Sequence, residues 1–293
     1  MKIIDGKEIA ATIKETIKRQ VVEIIDRGER APHLVAILVG DDPASHTYVA
    51  GKEKACREVG FTSSVYRLSA STTEQELLKT VQFLNTDDEV DGFIVQVPLP
   101  KHINETTILQ AILPSKDVDG FHPENIGRMV IGLPSFVSAT PFGIIKMLEY
   151  AKITTEGKHC VVLGRSNNVG TPISILMSRK NNPGNCTVTL CHTKTTNVKE
   201  ICLSADILIA AVGQPHYVTA DMVKNGAVVI DVGMHRIADD SKKSGYRLTG
   251  DVDYENVAPK CSAISPVPGG VGPMTIVSLI INTLKAYNKE IYQ

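Results

Sequence analysis

The chain has 293 residues, of which 43% are hydrophobic, and its formal net charge at pH 7 is −1. This length is sufficient for about two domains with apolar cores. The nearly neutral charge provides no long-range attraction to nucleic acid or to an anionic membrane. We therefore expect neither as a partner, and any anionic ligand has to be held by a local site.

The six cysteines show no C-x-x-C spacing, and several lie in apolar, strand-like runs such as His159–Leu163. We interpret them as reduced, buried thiols and expect no metal site. Residues 1–8 include acidic side chains and no apolar h-region, and no run approaches the roughly 18 apolar residues that span a bilayer. These features predict a cytoplasmic protein.

The first half of the chain alternates helices and strands. Apolar residues at three- and four-residue intervals predict an amphipathic helix over residues 8–28. The elements predicted next are a strand over 34–39, a helix capped by Ser45 that ends near residue 59, a strand near 64–68, a helix over 73–85 and a strand over 92–97. This alternation predicts a parallel sheet. Residues 98–140 are rich in Pro, Gly and Asn, which predicts a loop-like stretch available to a ligand.

A second α/β unit is predicted from Pro141, which begins a helix ending near residue 152. Short apolar strands are predicted at 159–163, 187–191, 206–212 and 227–232, with a helix from Pro172. Strands that are apolar throughout indicate a sheet buried on both faces. The polar segment 235–250 predicts a surface hairpin, and a closing helix is predicted over about 273–287.

Glycines and prolines crowd the segment Ser265–Val277, directly before the closing helix. Proline restricts φ, and glycine lets backbone N–H and C=O groups approach a ligand where a Cβ would clash. The segment therefore predicts a loop that clamps a ligand.

The loop Gly164–Gly170 (GRSNNVG) follows a predicted buried strand and opens a helix, for which Thr171 is the expected N-cap. A loop of this kind binds anions at the helix N-terminus. Because its spacing is not G-x-G-x-x-G, a tight turn without a ligand stays open as an alternative. Arg165 and the end of the next strand, Cys191–Lys194 (CHTK), offer polar and cationic groups where an NAD-specific fold places an acidic residue. This composition favours NADP over NAD.

Tyr48 and Lys52 lie four residues apart and share a helix face. Short-chain dehydrogenases also contain Y-x-x-x-K, but their nucleotide loop precedes the pair, so that alternative fails on chain order. Gln96 ends an otherwise apolar strand, where parallel sheets place their ligands. Asp119 lies in the loop-like stretch. A surface lysine and a turn aspartate are the structural alternatives for these residues.

Five segments in this order closely resemble the bifunctional methylenetetrahydrofolate dehydrogenase/cyclohydrolase family, and they span nearly the whole chain. They are Tyr48–Lys52 (YVAGK), Val95–Pro100 (VQVPLP), Lys116–Gly120 (KDVDG), Gly164–Gly170 (GRSNNVG) and Pro266–Thr275 (PVPGGVGPMT).

The resemblance implies an α/β fold of two domains that flank a cleft, the second a Rossmann-like doubly wound parallel sheet. The implied folate-binding catalytic domain comprises residues 1–139 with the C-terminal helix 273–293, and the implied NADP-binding domain comprises residues 140–272. The resemblance also implies a homodimer that acts on tetrahydrofolate derivatives in one-carbon metabolism and purine biosynthesis.

By this resemblance Lys52 transfers protons in the cyclohydrolase reaction, Tyr48 stacks on the folate and orients Lys52, and Gln96 positions Lys52. Asp119 holds the pterin. The implied cofactor-binding residues are Gly164, Arg165, Ser166, Thr193 and Met234, and the implied substrate contacts extend to Pro268, Gly269 and Gly270. Two departures from the family pattern are Asn168 at a position that is usually aliphatic and Met234–His235 in place of a usual Ile–Asn.

The expected function is oxidation of 5,10-methylenetetrahydrofolate with NADP, followed by hydrolysis of the methenyl product to 10-formyltetrahydrofolate. An alternative is a monofunctional NADP-dependent dehydrogenase in which Lys52 only binds substrate. A nucleotide-sensing module would need no proton carrier such as Lys52. A shikimate or amino-acid dehydrogenase would need a Lys/Asp pair outside the folate motifs, which we do not find.

Overall fold

The computed structural model describes residues 1–242 and 245–292. Positions 243 and 244 of the predicted hairpin and position 293 of the predicted C-terminal helix lie outside the described residues. The strands are β1 (Lys2–Ile3), β2 (His33–Val39), β3 (Thr62–Leu68), β4 (Gly92–Val95), β5 (His159–Leu163), β6 (Thr187–Cys191), β7 (Ile207–Ala210), β8 (Val228–Asp231), β9 (His235–Ala238), β10 (Tyr246–Thr249) and β11 (Ala263–Ile264).

The helices are α1 (Gly6–Asp26), α2 (Pro43–Val59), α3 (Glu74–Thr86), α4 (Glu105–Ala111), α5 (Pro123–Ile131), α6 (Ala139–Tyr150), α7 (Gly170–Ser178), α8 (Val198–Leu203), α9 (Tyr254–Val257) and α10 (Val271–Tyr287). Two 3-10 helices lie at Ala220–Met222 and Ala258–Lys260. Within the described part of the chain, no helix has the length and apolar character to cross a membrane.

The chain divides into two compact units. One contains Ala11–Ala139 and the segment that begins at Ile276, and the other contains Met1–Ala10 and Thr140–Thr275. The expected catalytic domain, residues 1–139, therefore differs from the observed unit at its start. The cause is β1, which pairs in parallel with β11 and so belongs to the sheet of the other unit.

The unit that contains Ala11–Ala139 has a three-stranded parallel sheet in the order β3-β2-β4. Its central strand is buried along almost its whole length, and one face of the sheet packs against apolar residues of α3, including Leu77 and Val81. Because β2 is flanked on both sides by parallel strands, the segments that follow β2 and β4 emerge at the same edge.

Three predictions in this unit were wrong in detail. Asp42, not Ser45, is the N-cap of α2, because the Asp42 carboxylate accepts a hydrogen bond from the Ser45 backbone N–H at 2.8 Å. Residues 98–140 also contain α4 and α5, which are capped by Asn104 and His122. These helices have 7 and 9 residues, too few turns for a clear hydrophobic period. The strand predicted over 92–97 ends at Val95.

The other unit has a six-stranded parallel sheet in the order β1-β11-β8-β7-β5-β6, which confirms the predicted doubly wound α/β fold. From β5 the chain passes to β6 on one side and returns to β7 on the other. In open α/β sheets ligands bind outside the carboxyl ends of strands at such a reversal. β9 and β10 form the predicted antiparallel hairpin.

The loop between β5 and α7 depends on two glycines. Gly164 has φ +108°, and a Cβ there would lie 2.0 Å from the Ala211 carbonyl oxygen. A Cβ on Gly170 would lie 1.9 Å from the Gly164 carbonyl oxygen. Thr171 is not the N-cap as predicted, because its hydroxyl donates to the Arg165 carbonyl oxygen at 3.2 Å and α7 begins one residue earlier, at Gly170.

We expect Gly170→Ala to lower the melting temperature, because forcing a methyl group into a packed site costs about 1–3 kcal/mol. Gly127→Ala is the matched control. A Cβ on Gly127 in α5 meets nothing within 4 Å. That substitution should raise stability by about 0.5–1 kcal/mol, because alanine is the better helix former. Differential scanning calorimetry measures both, and an unchanged melting temperature for Gly170→Ala would contradict the packing argument.

Candidate active site and nucleotide-binding loop

Lys52 and Gln96 meet at the carboxyl edge of the three-stranded sheet. Lys52 lies on α2, which follows β2, and Gln96 directly follows β4. The Lys52 Nζ donates a hydrogen bond to Gln96 Oε1 at 3.1 Å. Gln96 Nε2 donates to the Val97 carbonyl oxygen at 2.7 Å, which orients the amide so that its oxygen faces the lysine. The Gln96 backbone N–H also bonds to the Ile37 carbonyl at 2.9 Å.

Asp119 lies in a turn whose first residue, Asp117, is bridged to β4. Phe93 forms an isolated parallel bridge with Asp117, and the Phe93 N–H donates to the Lys116 carbonyl oxygen at 3.0 Å. Asp119 lies two residues beyond this bridge, in a turn closed by the Gly120 N–H, which donates to the Asp117 carbonyl oxygen at 3.1 Å, and its carboxylate is close enough to Lys52 for the two charges to interact. No hydrogen bond to the Asp119 carboxylate is found within residues 1–242 and 245–292.

The charges of Lys52 and Asp119 act on each other in a partly buried environment. Burial lowers the pKa of Lys52, and the Asp119 carboxylate opposes this by favouring the charged amine. Burial raises the pKa of Asp119, and the Lys52 amine opposes that shift. A lysine with a lowered pKa can both accept and donate a proton closer to neutral pH than an exposed lysine can.

Tyr48 lies one turn before Lys52 on α2, and 45% of it is exposed. Its aromatic face is therefore available to stack on a flat ligand. The structure thus brings Lys52, Gln96 and Asp119 together and places Tyr48 on the same helix face.

Two buried residues that support this group were not predicted as site residues. The Asn282 side chain on α10 donates to the carbonyl oxygens of Val118 and Val137, at 2.9 and 3.0 Å, and so holds the backbone beside Asp119. Asp117 is 2% exposed, and burial raises its pKa to about 7. Asp117 could have been identified from the sequence because it lies in the KDVDG segment. Asn282 could have been identified because it is a polar residue in an apolar helix.

Gly164, Arg165 and Ser166 form the loop at the end of β5. The Ser166 hydroxyl oxygen accepts hydrogen bonds from the backbone N–H groups of Val169 and Gly170, at 3.2 and 3.4 Å, and keeps its proton available to donate. Arg165 and Ser166 are exposed. In the described part of the chain, the Arg165 guanidinium has no hydrogen-bond or ion-pair partner. The loop thus offers an exposed cation and a hydroxyl beside a backbone that admits no Cβ, as a site for a phosphate requires.

Thr193 and Met234 lie after neighbouring strands of the same sheet. Thr193 follows β6, and it is exposed in a turn closed by the His192 N–H, which donates to Thr195 Oγ1 at 2.9 Å. Met234 follows β8 and is 44% exposed. The predicted cofactor residues therefore all follow carboxyl ends of β5, β6 or β8.

A buried carboxylate network behind these loops was also missed. Asp251 Oδ2 accepts hydrogen bonds from the backbone N–H groups of Val212 and Gly213, at 2.7 and 3.0 Å, and so shapes the loop after β7. Its Oδ1 pairs with His235 Nε2 at 2.7 Å. Asp231 Oδ1 accepts from the Asp251 backbone N–H at 2.9 Å. His235, noted in the sequence as a departure, therefore has a defined partner.

Pro268, Gly269 and Gly270 lie in the turn before α10. The Gly269 carbonyl oxygen accepts a hydrogen bond from the Lys7 backbone N–H at 3.1 Å, and a Cβ on Gly6 would lie 1.8 Å from the Gly270 carbonyl oxygen. Pro268 is exposed, whereas the two glycines are buried. The turn is therefore held tightly against the start of α1.

Comparison with known proteins assigns both parts of the chain to one family. Residues 4–119 match the catalytic domain of tetrahydrofolate dehydrogenase/cyclohydrolase, and residues 138–291 match the NAD(P)-binding domain of the same family. The bifunctional protein FolD of Porphyromonas gingivalis is 60% identical over 292 residues, which cover 100% of this chain and 98% of that protein.

Two solved structures extend the similarity to the fold. The bifunctional FolD methylenetetrahydrofolate dehydrogenase/cyclohydrolase of Campylobacter jejuni is 45% identical, with a TM-score of 0.93 and 99% of each chain covered. The Trypanosoma brucei N5,N10-methylenetetrahydrofolate dehydrogenase-cyclohydrolase, solved with NADP and an inhibitor, is 35% identical with a TM-score of 0.93, covering 99% of this chain and 98% of that one. By its two domains and these relatives, the chain belongs to the tetrahydrofolate dehydrogenase/cyclohydrolase family.

Proposed function

We propose that Lys52 is the proton carrier of a bifunctional enzyme that oxidises 5,10-methylenetetrahydrofolate with NADP and hydrolyses the methenyl product to 10-formyltetrahydrofolate. The observation that carries this proposal is the hydrogen bond from Lys52 to Gln96 beside Asp119. Full-length relatives described as bifunctional favour two activities over the monofunctional alternative.

The oxidation needs positioning and exclusion of water more than it needs a protein base. The reacting carbon lies between two nitrogens, whose lone pairs stabilise the cation that forms when a hydride leaves. Bound NADP supplies the hydride acceptor. Gly164, Arg165, Ser166 and Thr193 would hold the cofactor, with the Met234 backbone beside it. The absence of any Cβ at Gly164 and Gly170 and the exposed Arg165 side chain fit a phosphate-bearing nucleotide.

The hydrolysis needs a group that moves a proton between the attacking water and a folate ring nitrogen. Lys52 has the required chemistry because burial lowers the pKa of its amine toward neutral pH. The cationic methenyl substrate would lower it further, since like charges disfavour the protonated amine. Gln96 holds the amine, and its amide oxygen accepts a hydrogen bond from either protonation state of the lysine.

Asp119 would bind the pterin, because its two carboxylate oxygens match the two donors of the 2-amino group and the ring N–H. Its carboxylate carries no hydrogen bond from the described residues and so is free to accept both. Tyr48 would stack on the folate, because almost half of it is exposed on the lysine's side of α2. The backbone of Pro268, Gly269 and Gly270 stays a predicted substrate contact.

We further propose that the enzyme is a cytoplasmic homodimer whose product feeds purine biosynthesis. Six buried, unpaired cysteines support a reducing compartment, and the net charge of −1 supports small-molecule partners instead of nucleic acid or membrane. The family resemblance supports the dimer, and a sedimentation mass of one chain would contradict it.

Replacing Lys52 should separate the two reactions. We expect Lys52→Met and Lys52→Gln to lose the cyclohydrolase while keeping measurable dehydrogenase activity, so that methenyltetrahydrofolate accumulates. A general acid–base group contributes about 10²–10⁴-fold, which is well outside assay error. Absorbance of the methenyl compound, recorded with NADP and with NAD, measures both steps.

Lys54→Met is the matched control, because Lys54 lies on the same helix with 73% of its side chain exposed. It should leave both rates unchanged. A Lys52 variant that folds normally and loses both activities in parallel would contradict the proton-carrier role. Absence of cyclohydrolase activity in the unmodified protein would favour the monofunctional alternative.

Asp119→Asn should weaken folate binding and both activities, because the amide presents donors to a pterin edge that also presents donors. The expected cost is about 2–4 kcal/mol in kcat/KM. Asp88→Asn, at an exposed turn after α3, is the control.

The residual cyclohydrolase activity of Asp119→Asn also reports on the pKa of Lys52. Because Asp119 raises the pKa of Lys52, its loss should shift the lysine-dependent limb of the kcat–pH profile to lower pH. Unmodified activity in both reactions would make Asp119 a turn residue.

Arg165→Ala should raise the KM for NADP about ten-fold or more while leaving the KM for NAD nearly unchanged, because a charged hydrogen bond to the 2′-phosphate contributes about 1.5–3 kcal/mol. Arg247→Ala, on the exposed side of β10, is the control and should change neither value. Steady-state kinetics with both cofactors tests this. Equal use of NADP and NAD by the unmodified protein would contradict it.

A further inference from the structure

The loop that carries Asp119 is organised around the buried carboxylate of Asp117. Asp117 Oδ1 accepts a hydrogen bond from the Phe121 backbone N–H at 3.2 Å, and Oδ2 accepts one from the His122 backbone N–H at 2.8 Å. The Gly120 N–H donates to the Asp117 carbonyl oxygen at 3.1 Å. Asp119 lies inside this ring of hydrogen bonds, so the position of its carboxylate depends on Asp117.

The Asn125 side chain donates a hydrogen bond to the Asp117 carboxylate and so fixes its position. Asn125 lies in the first turn of α5 and is 0% exposed. Its Nδ2 donates to Asp117 Oδ2 and to the Pro114 carbonyl oxygen, each at 2.9 Å. Its Oδ1 accepts from the Phe136 backbone N–H at 3.2 Å and from the Tyr292 hydroxyl at 2.9 Å. All four hydrogen-bonding positions of the amide are therefore used.

The Tyr292 ring contacts two side chains, those of Arg128 and Phe136. The Arg128 guanidinium lies 4.7 Å from the Tyr292 ring centroid, and the Phe136 ring centroid lies 6.0 Å away. Arg128 Nη2 also donates to the Ile291 carbonyl oxygen at 3.5 Å. Since Arg128 and Asn125 share α5, the segment after α10 binds the same helix through a cation–π contact and through a hydroxyl group.

We propose that Asn125 and Tyr292 are positioning residues for folate binding, which act through Asp117 on the carboxylate of Asp119. This inference rests on the proposed role of Asp119 as the pterin ligand. The hydrogen bonds from Tyr292 to Asn125 and from Asn125 to Asp117 link the segment after α10 to a loop more than 160 positions earlier in the sequence. Its expected kinetic effect differs from that of Lys52, because a displaced Asp119 weakens folate binding in both reactions equally.

Tyr292→Phe tests this with little risk to folding, because it removes only the hydroxyl and keeps the ring beside Arg128. Loss of one neutral hydrogen bond predicts an increase of about three- to ten-fold in the KM for 5,10-methylenetetrahydrofolate. The KM for methenyltetrahydrofolate should rise by the same factor. The kcat values and the KM for NADP should stay within about two-fold of the unmodified enzyme, because this change weakens binding without touching the reacting groups.

Tyr287→Phe is the matched control. Tyr287 also donates its hydroxyl to a side chain, Glu29 Oε2 at 2.8 Å, and Arg30 lies 5.4 Å from its ring centroid. Tyr287 thus matches Tyr292 in its donating hydroxyl and its neighbouring arginine, although its acceptor is a carboxylate, and it has no link to Asp117, so the folate KM of this variant should not change. An unchanged folate KM in Tyr292→Phe, or an equal change in both tyrosine variants, would overturn the proposal.

Asn125→Asp provides a second, stronger perturbation, because it places a carboxylate against that of Asp117. We expect the folate KM to rise more than in Tyr292→Phe; if this variant does not fold, Tyr292→Phe decides alone. Asp119→Asn measured in the same assays separates the two levels of inference. If Asp119→Asn leaves the folate KM unchanged, the proposed function of Asp119 fails. If it raises the KM but Tyr292→Phe does not, only the positioning inference fails.

Discussion

The proposed chemistry depends on the burial of one amine, that of Lys52. Desolvation disfavours the ammonium form, whereas the carboxylate of Asp119 favours it, so the protonation state of the lysine reflects a balance between two opposed effects. Gln96 is neutral and accepts a hydrogen bond from either form. The amine can therefore gain and lose a proton without losing the contact that holds it, as repeated turnover requires.

This balance is possible because parallel strands end at a common edge. The segments after β2 and β4 carry Lys52 and Gln96 to that edge, and the bridge between Phe93 and Asp117 anchors the start of the turn that carries Asp119. In the six-stranded sheet the same principle gathers Gly164, Thr193 and Met234 after β5, β6 and β8. Residues far apart in sequence thus meet without any long loop having to bring them together.

Most of the fold could be predicted from the sequence because long periodic segments dominate it. The helix predicted over 8–28 and the strands predicted at 159–163 and 187–191 agree with α1, β5 and β6, although β6, at the edge of the sheet, is buried only at Cys191. The caps were less predictable. Ser45 and Thr171 have the right chemistry for N-caps, but Asp42 and the Gly164–Gly170 turn compete with them. A composition rich in Pro, Gly and Asn concealed α4 and α5.

Lys52, Gln96 and Asp119, which the structure brings together, could be singled out from the sequence because they are polar groups in motifs or at a strand end. The residues that hold them in place could not. Asn125 and Asn282 act through buried hydrogen bonds to groups distant in sequence, and Asp251 shapes a loop after β7 from a position beyond the β9–β10 hairpin. Local patterns carry no information about such contacts, because each depends on how separate elements pack. The assignment of residues 1–10 to the unit with the six-stranded sheet could not be predicted for the same reason, because it depends on the pairing of β1 with β11.

The glycine contacts beneath the nucleotide loop have a consequence for how cofactor preference can change. The backbone at Gly164 and Gly170 leaves no room for a side chain, so this part of the site cannot be varied without cost to folding. Thr193 and Lys194, in contrast, are exposed after β6 and take no part in the core. The proposed cofactor contacts at these exposed residues and at the exposed Arg165 are therefore separate from the glycines on which folding depends, and a mutant library restricted to the exposed positions could vary the proposed contacts at little cost to stability.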